Sequence, residues 1–272
     1  MKLINENIKQ YIDKFIKQEQ INNYIGIIVY GSYVRNMNNN LSDLDLMIIK
    51  DNYETQDCGS CVIDGIRVEY FVESLKTIYQ KIKEEIQNND PSHLTKFATC
   101  LIYYDKEGKV KELINFAKEA YDTKIEHTLS DNDKFAIFGI NNRIEDLESL
   151  INSNSFYAVY FIVLEKIRNL YSKINGIIDL PVMKIERIYN DKEYAKNYIN
   201  SNIHNIPNSE FIILYNNCLN IKNKVEMLSD LKILYNYSFK NINFSPNNFI
   251  LRFKQNAPFK VWNDNSSKLF IL

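Results

Sequence analysis

Tyr30-Gly31-Ser32 and, after ten intervening residues, Asp43-Leu44-Asp45 form the stretch on which the reading of this chain turns. Ahead of it runs Tyr24-Ile25-Gly26-Ile27-Ile28-Val29-Tyr30 and behind it Leu44-Asp45-Leu46-Met47-Ile48-Ile49. Both runs are rich in β-branched and aromatic residues and read as strands, so the unit is strand, Gly-Ser turn, connection, strand. Side chains two apart on a strand share a face, which sets Asp43 and Asp45 side by side at about 7 Å. Two carboxylates so placed in a partly dry site resist joint ionisation. A hard divalent ion such as Mg²⁺, bound through oxygen ligands, relieves that repulsion. Asp-x-Asp alone is common surface decoration; the Gly-Ser turn beside it changes the weighing. Gly31 permits close backbone approach, and a helical turn over Ser32 to Met37 would aim free N–H groups at an anion. Phosphate and metal would then meet at one place.

A third strand is expected over Ile66 to Val72, with Arg67, Glu69 and Phe71 on one face. A carboxylate in mid-strand is costly unless paired or metal-bound, so Glu69 is assigned as the third ligand. The competing reading is a solvated Arg67 and Glu69 face on an exposed sheet. Cys58-Gly59-Ser60-Cys61 lacks a second metal-binding half, and His93, His127 and His204 are scattered, so it reads as a hairpin connection. The four cysteines, Cys58, Cys61, Cys100 and Cys218, read as free thiols.

Ser74 is expected to cap a helix to about Gln87, Thr99 to Tyr104 to form a strand, and Lys109 to Tyr121 a helix. That alternation gives way after about Thr123 to helices alone: Ser130 or Asp131 through Ile151, Ser155 through Ile174 with Gly176 beyond its end, and one long helix from Pro207 through Leu234. The fold class expected is α+β, α/β-like in its first half. A mixed-sheet domain covers residues 1–124, an all-helical domain 125–240, and an apolar, short-stranded tail 241–272, including Trp262, packs on a domain or a subunit.

With 272 residues, 45% of them hydrophobic, the chain can build two cores. A formal net charge of −1 gives no global basic field and weighs against a nucleic-acid substrate. The N-terminal residues alternate charges with Leu3, Ile4, Ile8, Tyr11 and Ile12 as an amphipathic helix does, unlike a signal peptide. Ala158 to Leu164 is too short an apolar run to span a bilayer. A soluble, cytoplasmic protein without membrane contact is expected, monomeric or homodimeric. Neither G-x-x-x-x-G-K-[ST], H-E-x-x-H nor any G-x-G occurs, so phosphates, if bound, bind at Gly31-Ser32.

Gly31-Ser32, Asp43-x-Asp45 and a strand carboxylate at Glu69 resemble the signature of the polymerase-β-type nucleotidyltransferase superfamily. A minimal catalytic domain followed by helices is similar to the antibiotic nucleotidyltransferases that adenylylate aminoglycosides or lincosamides. The resemblance implies two Mg²⁺ ions on Asp43 and Asp45, with Glu69 on the catalytic one and a second role for it as proton acceptor. ATP or another NTP would be the co-substrate, its outer phosphates on Gly31 and Ser32 with Arg35 neutralising them. Lys184 stands where a lysine of related enzymes reaches the triphosphate; Lys173 and Arg168 are its rivals. A cationic acceptor would call for acids such as Glu145, Asp146, Glu148 and Glu165. The expected reaction is AMP transfer to a hydroxyl of a small molecule, with pyrophosphate released. Two alternatives belong to other classes: a toxin–antitoxin-type enzyme modifying a protein or RNA, and a catalytically silent nucleotide-binding module.

Overall fold

The structure, a computed structural model, describes residues 5–35, 37–39, 41–88, 91–122, 128–200, 206–247 and 249–250. Five strands form one mixed sheet: β1 (Gly26–Tyr30), β2 (Leu44–Lys50), β3 (Asp57–Ile63), β4 (Ile66–Ser74) and β5 (Leu101–Asp105). Their spatial order is β3-β4-β2-β1-β5, with β2 and β4 parallel and every other pair antiparallel. β1 and β2 are buried along nearly their whole length, which is why both read as continuous apolar runs.

Alternation along the strands sorts the sheet into two faces. Ile27, Val29, Leu46, Ile48 and Val68 pack against Ile12 and Phe15 of α1 (Glu6–Gln18). Ile28, Tyr30, Met47 and Ile49 face the other way, under Ile78 and Ile82 of α2 (Leu75–Asn88), Leu94 and Phe97 of α3 (Ser92–Thr99), and Val110, Leu113 and Ala117 of α4 (Lys109–Asp122). Asp45 shares the parity of Met47 and Ile49. It therefore belongs to the α2–α4 face, at the end of the sheet where the helices stop covering it.

Six further helices follow: α5 (Asp131–Ser149), α6 (Phe156–Asn175), α7 (Val182–Asn190), α8 (Lys192–Asn200), α9 (Ser209–Leu219) and α10 (Lys224–Phe239). α5 begins in a capping box, Ser130 and Asp133 each bonding the other's backbone N–H. α6 ends at left-handed Gly176, φ 61°. Their common core includes Phe156, Tyr160, Ile167, Phe211 and Leu231, and it also takes in Met37 from the loop between β1 and β2. That loop thus bridges the sheet and the helical part.

Several local expectations are corrected. Cys58-Gly59-Ser60-Cys61 is no turn: it lies inside β3, and the hairpin turn is Asp64-Gly65. Gly59 is needed in the strand because a Cβ there would stand 2.4 Å from the Tyr70 ring. The expected helical turn from Ser32 is, over its described residues to Arg35, a tight turn: Arg35 N–H donates to the Ser32 carbonyl at 3.2 Å, and Met37 N–H donates to the same oxygen at 3.0 Å. The long helix after Pro207 is two, α9 and α10: the first ends at Leu219 with Asn220 as its C-cap, and Asn223 caps the second by accepting from Glu226 N–H at 3.0 Å. α3, α7 and α8 were not foreseen. Residues 251–272, and with them the expected strands around Trp262, lie outside the described residues; just before them Phe249 packs on Phe138 at 4.8 Å between ring centroids.

Candidate active site

Strand register builds the site. Tyr30 of β1 pairs with Asp45 of β2, Asp45 pairs with Glu69 of β4, and Glu69 pairs with Ser60 of β3. Directly paired residues present their side chains on one face, so Tyr30, Asp45 and Glu69 form a row across three strands. Asp43 stands two residues before Asp45, just ahead of β2. The sheet has therefore brought together the three carboxylates that the sequence singled out.

Their electrostatics show an excess of negative charge. The Asp45 carboxyl is pushed up from 3.8 to about 6, first by burial and then by Glu69 and Asp43; Arg35 and Lys184 pull the other way. Tyr30 is likewise raised, by burial and then by Asp45, Glu69 and Glu73, and stays protonated. Gly31 adopts φ +79°, and a Cβ on it would lie 1.9 Å from Asp45 Oδ2, so the turn closes directly onto the carboxylate. This is the glycine requirement that the Gly-Ser pair signalled.

Arg67 was noted in the sequence only as Glu69's neighbour on the strand face. Its Nη2 stands 2.8 Å from Glu69 Oε1 and its Nε 3.8 Å from Asp43 Oδ1, and Nε donates to Ser60 Oγ at 3.1 Å. The guanidinium is a resident cation among the acids. With Glu69 turned to it, no three His, Cys, Asp or Glu side chains among the described residues stand close enough together to hold a metal ion. The donor chemistry still fits a hard divalent cation: three oxygen-donor carboxylates, one held well above its usual range by burial and then by the other two, beside a cradle that a single methyl would fill. Asp43, Asp45 and Glu69 are the residues that would hold it.

The row opens into a cleft of about 690 Å³, lined from the sheet by Gly31, Ser32 and Asp45 and from the helical part by Lys184, Tyr194 and Tyr198. Lys184 follows Pro181 at the start of α7. Burial and Arg35 lower its pKa while Asp45 opposes them, which places it within electrostatic reach of the acids. Its rivals are engaged elsewhere. Arg168 is buried on Asp179 (2.7 Å), and Lys173 bonds Asp133 at 2.8 Å. Arg35 lies 5.8 Å from the Tyr198 ring centroid, and its Nε, buried in the cleft wall, has no hydrogen-bond partner. Arg187, Thr95 and Lys96 also line the cleft. The sequence held no pattern that would place them there, because α3 and α7 reach the site through tertiary packing alone.

Glu145, Asp146, Glu148 and Glu165 do not line the cleft. Glu148 pairs with Lys232 and Glu145 accepts from Asn141 at 2.8 Å. The cleft carries Arg35, Lys96, Lys184 and Arg187 against Asp43 and Asp45, a cationic balance suited to phosphates. No helix in the described chain is long and apolar enough to cross a membrane.

Comparison with known proteins adds the family. No curated protein sequence matches the chain. Among solved structures, a nucleotidyltransferase-like protein from Exiguobacterium sibiricum is similar over 86% of this chain and 74% of that one, at 11% identity and a TM-score of 0.42, a likeness that bears no weight here. Residues 8–160, more than half of the chain, match the family model described as a nucleotidyltransferase domain. The chain therefore belongs to the nucleotidyltransferase domain family, of polymerase-β type, and nucleotidyl transfer is its class of chemistry.

Proposed function

We propose that the protein transfers AMP from ATP to a hydroxyl of a small molecule and releases pyrophosphate. The observation that carries this reading is the row Tyr30, Asp45, Glu69 with Asp43 beside it, facing a cationic cleft. The acceptor oxygen bonds to the α-phosphorus, the bond from that phosphorus to the bridging oxygen of the β-phosphate breaks, and pyrophosphate leaves with that electron pair. A divalent ion bound by the three carboxylates would neutralise charge on the phosphoryl oxygens and acidify the attacking hydroxyl.

The chain's own groups supply the rest. The Gly31-Ser32 turn offers backbone N–H and hydroxyl donors to the outer phosphates, with Arg35 and Lys184 as counter-charges from two sides. Tyr194 and Tyr198 give that end of the cleft aromatic faces suited to a ring. Glu69, on the side of the sheet away from Gly31, takes the acceptor's proton. A second opening of about 540 Å³, lined by Asn38, Asn39, Ser42, Asp64 and Arg67, meets the first at Asp43. Its amide and hydroxyl lining suits a hydroxylated acceptor entering opposite the nucleotide.

The test is a turnover screen. Purified protein with Mg²⁺ and each NTP is offered aminoglycosides, lincosamides and other hydroxylated compounds, and pyrophosphate is read. Acceptor-dependent pyrophosphate that disappears in Asp45→Asn supports the reading. ATP binding with no turnover on any acceptor would overturn it in favour of a silent nucleotide-binding module, and label from ATP appearing on a co-purified protein or RNA in favour of a macromolecular target.

A further inference from the structure

Three polar groups that line the cleft have no hydrogen-bond or ion-pair partner among the described residues. Thr95 is 7% exposed, lines the cleft and has no hydrogen-bond partner for its Oγ1. Arg35 Nε, which lines the same cleft from the loop after β1, is also buried and unsatisfied. Lys96, next to Thr95 on α3, rests its Nζ 4.7 Å from the Tyr30 ring centroid and 5.4 Å from that of Phe71. No described residue forms a hydrogen bond or ion pair with it. Of the three acids within electrostatic reach of Lys96, Asp45 belongs to the carboxylate row, and Glu73 and Glu85 are already engaged. Glu73 is bonded to Lys81 at 2.8 Å and to Gln56 at 3.0 Å. Glu85 accepts from the backbone N–H of His93 and Leu94 at 2.6 and 3.0 Å, besides the His93 ring. A buried hydroxyl without a partner costs free energy, and so does a half-buried ammonium held only over two rings with no anion beside it. Such a cost persists in a native structure where a ligand is meant to be received.

We propose that Thr95 and Lys96 form a phosphate subsite in the α3 wall of the cleft, receiving the phosphate chain of the donor nucleotide together with Arg35. The inference rests on the nucleotide-donor reading above. Hydroxyl, ammonium and guanidinium all offer donors, and the group that accepts from all three while carrying several negative charges is a polyphosphate. α3 suits the role because Glu85 pins its first turn from α2, so Thr95 and Lys96 are held in place before a ligand arrives. Glu85 also occupies the free N–H groups of that turn, so the subsite consists of side chains.

The experiment is calorimetric titration, in MgCl₂, of ATP, inorganic tripolyphosphate and adenosine into the unaltered protein, Lys96→Met and Thr95→Val. Methionine keeps an unbranched apolar stem over the two rings, and valine preserves the shape of threonine. Lys96→Met is expected to bind ATP and tripolyphosphate on the order of tenfold or more weakly, and Thr95→Val about three- to tenfold, the size of a charged and of a neutral hydrogen bond. Adenosine, without phosphates, should bind all three proteins alike. Equal binding of ATP and tripolyphosphate within about twofold across the three proteins overturns the subsite and leaves the donor reading standing. An equal loss for adenosine overturns it too, since α3 would then merely shape the cleft. Failure of the unaltered protein to bind either phosphate compound removes the donor reading itself.

Discussion

Asp45→Asn should make the metal-free protein more stable while abolishing its chemistry. In the native state the Asp45 carboxyl is raised from 3.8 to about 6, by burial first and by Glu69 and Asp43 next. A group that holds its proton more tightly folded than unfolded favours the native state at low pH and loses that advantage as pH rises. Below about pH 4 both states are protonated and Asp45 is neutral in effect. Between about 4 and 6 stability falls, and above 6 the full cost of an ionised Asp45 is present. At 1.36 kcal/mol per pH unit the gap amounts to about 3 kcal/mol. Partial contact with water and local relaxation reduce this to about 1–3 kcal/mol. No described residue donates a hydrogen bond to Asp45, so asparagine forfeits none. The assay is urea unfolding in EDTA at pH 3.5 and pH 8. Asp45→Asn should gain about 1–3 kcal/mol over the unaltered protein at pH 8 and roughly nothing at pH 3.5. Added Mg²⁺ should stabilise the unaltered protein and leave the variant unmoved. A variant less stable than its parent at pH 8 in EDTA would refute the reasoning, for it would mean that the ionised carboxylate is satisfied within the fold.

Three other substitutions probe the same corner. Gly31→Ala places a methyl 1.9 Å from Asp45 Oδ2 at φ +79°; a loss of about 2–5 kcal/mol in denaturant unfolding is expected, with turnover gone. Arg67→Ala removes the cation held by Glu69; both side chains are more than a third exposed, 58% and 37%, so stability should change by less than about 1 kcal/mol while Mn²⁺ affinity by calorimetry rises severalfold. A weaker Mn²⁺ site would instead mean that Arg67 orients Glu69 for the ion. Lys184→Met should lower ATP affinity by about tenfold in the same titration with little change in melting temperature, since a buried charge is lost along with its cost.

What could be read from residues alone divides along physical lines. The strand positions of Asp45 and Glu69 were legible because β2 is a nearly continuous apolar run and β4 carries apolar residues at alternate positions, and such patterns set strand pairing. The ends of α5 and α6 were legible because Ser130 and Gly176 act locally. α3 was not. It is eight residues long, polar at Thr95 and Lys96, and its first turn is capped by Glu85 from another helix, an interaction that leaves no mark in its own sequence. The Gly59 in Cys58-Gly59-Ser60-Cys61 suggested a turn, yet it is there to seat Tyr70 across the strands. Asn220 and Asn223, which stand between α9 and α10, are local cap signals that the reading of one continuous helix passed over. The cations of the cleft divide in the same way: Arg35 follows its motif, whereas Lys96 and Arg187 arrive by packing.

Met37 has a further consequence. It leaves the hairpin that carries Gly31 and Ser32 and is buried among the side chains of α5 to α10. The bend that would grip a triphosphate is thus tied at one end to the sheet and anchored at the other in the neighbouring module. A slackening of the helices would pull directly on the Gly31-Ser32 bend, and severing the chain after α4 would cut the anchor loose. The two halves of this molecule are mechanically one instrument, and a graft of either onto a foreign companion would have to supply a socket for that methionine.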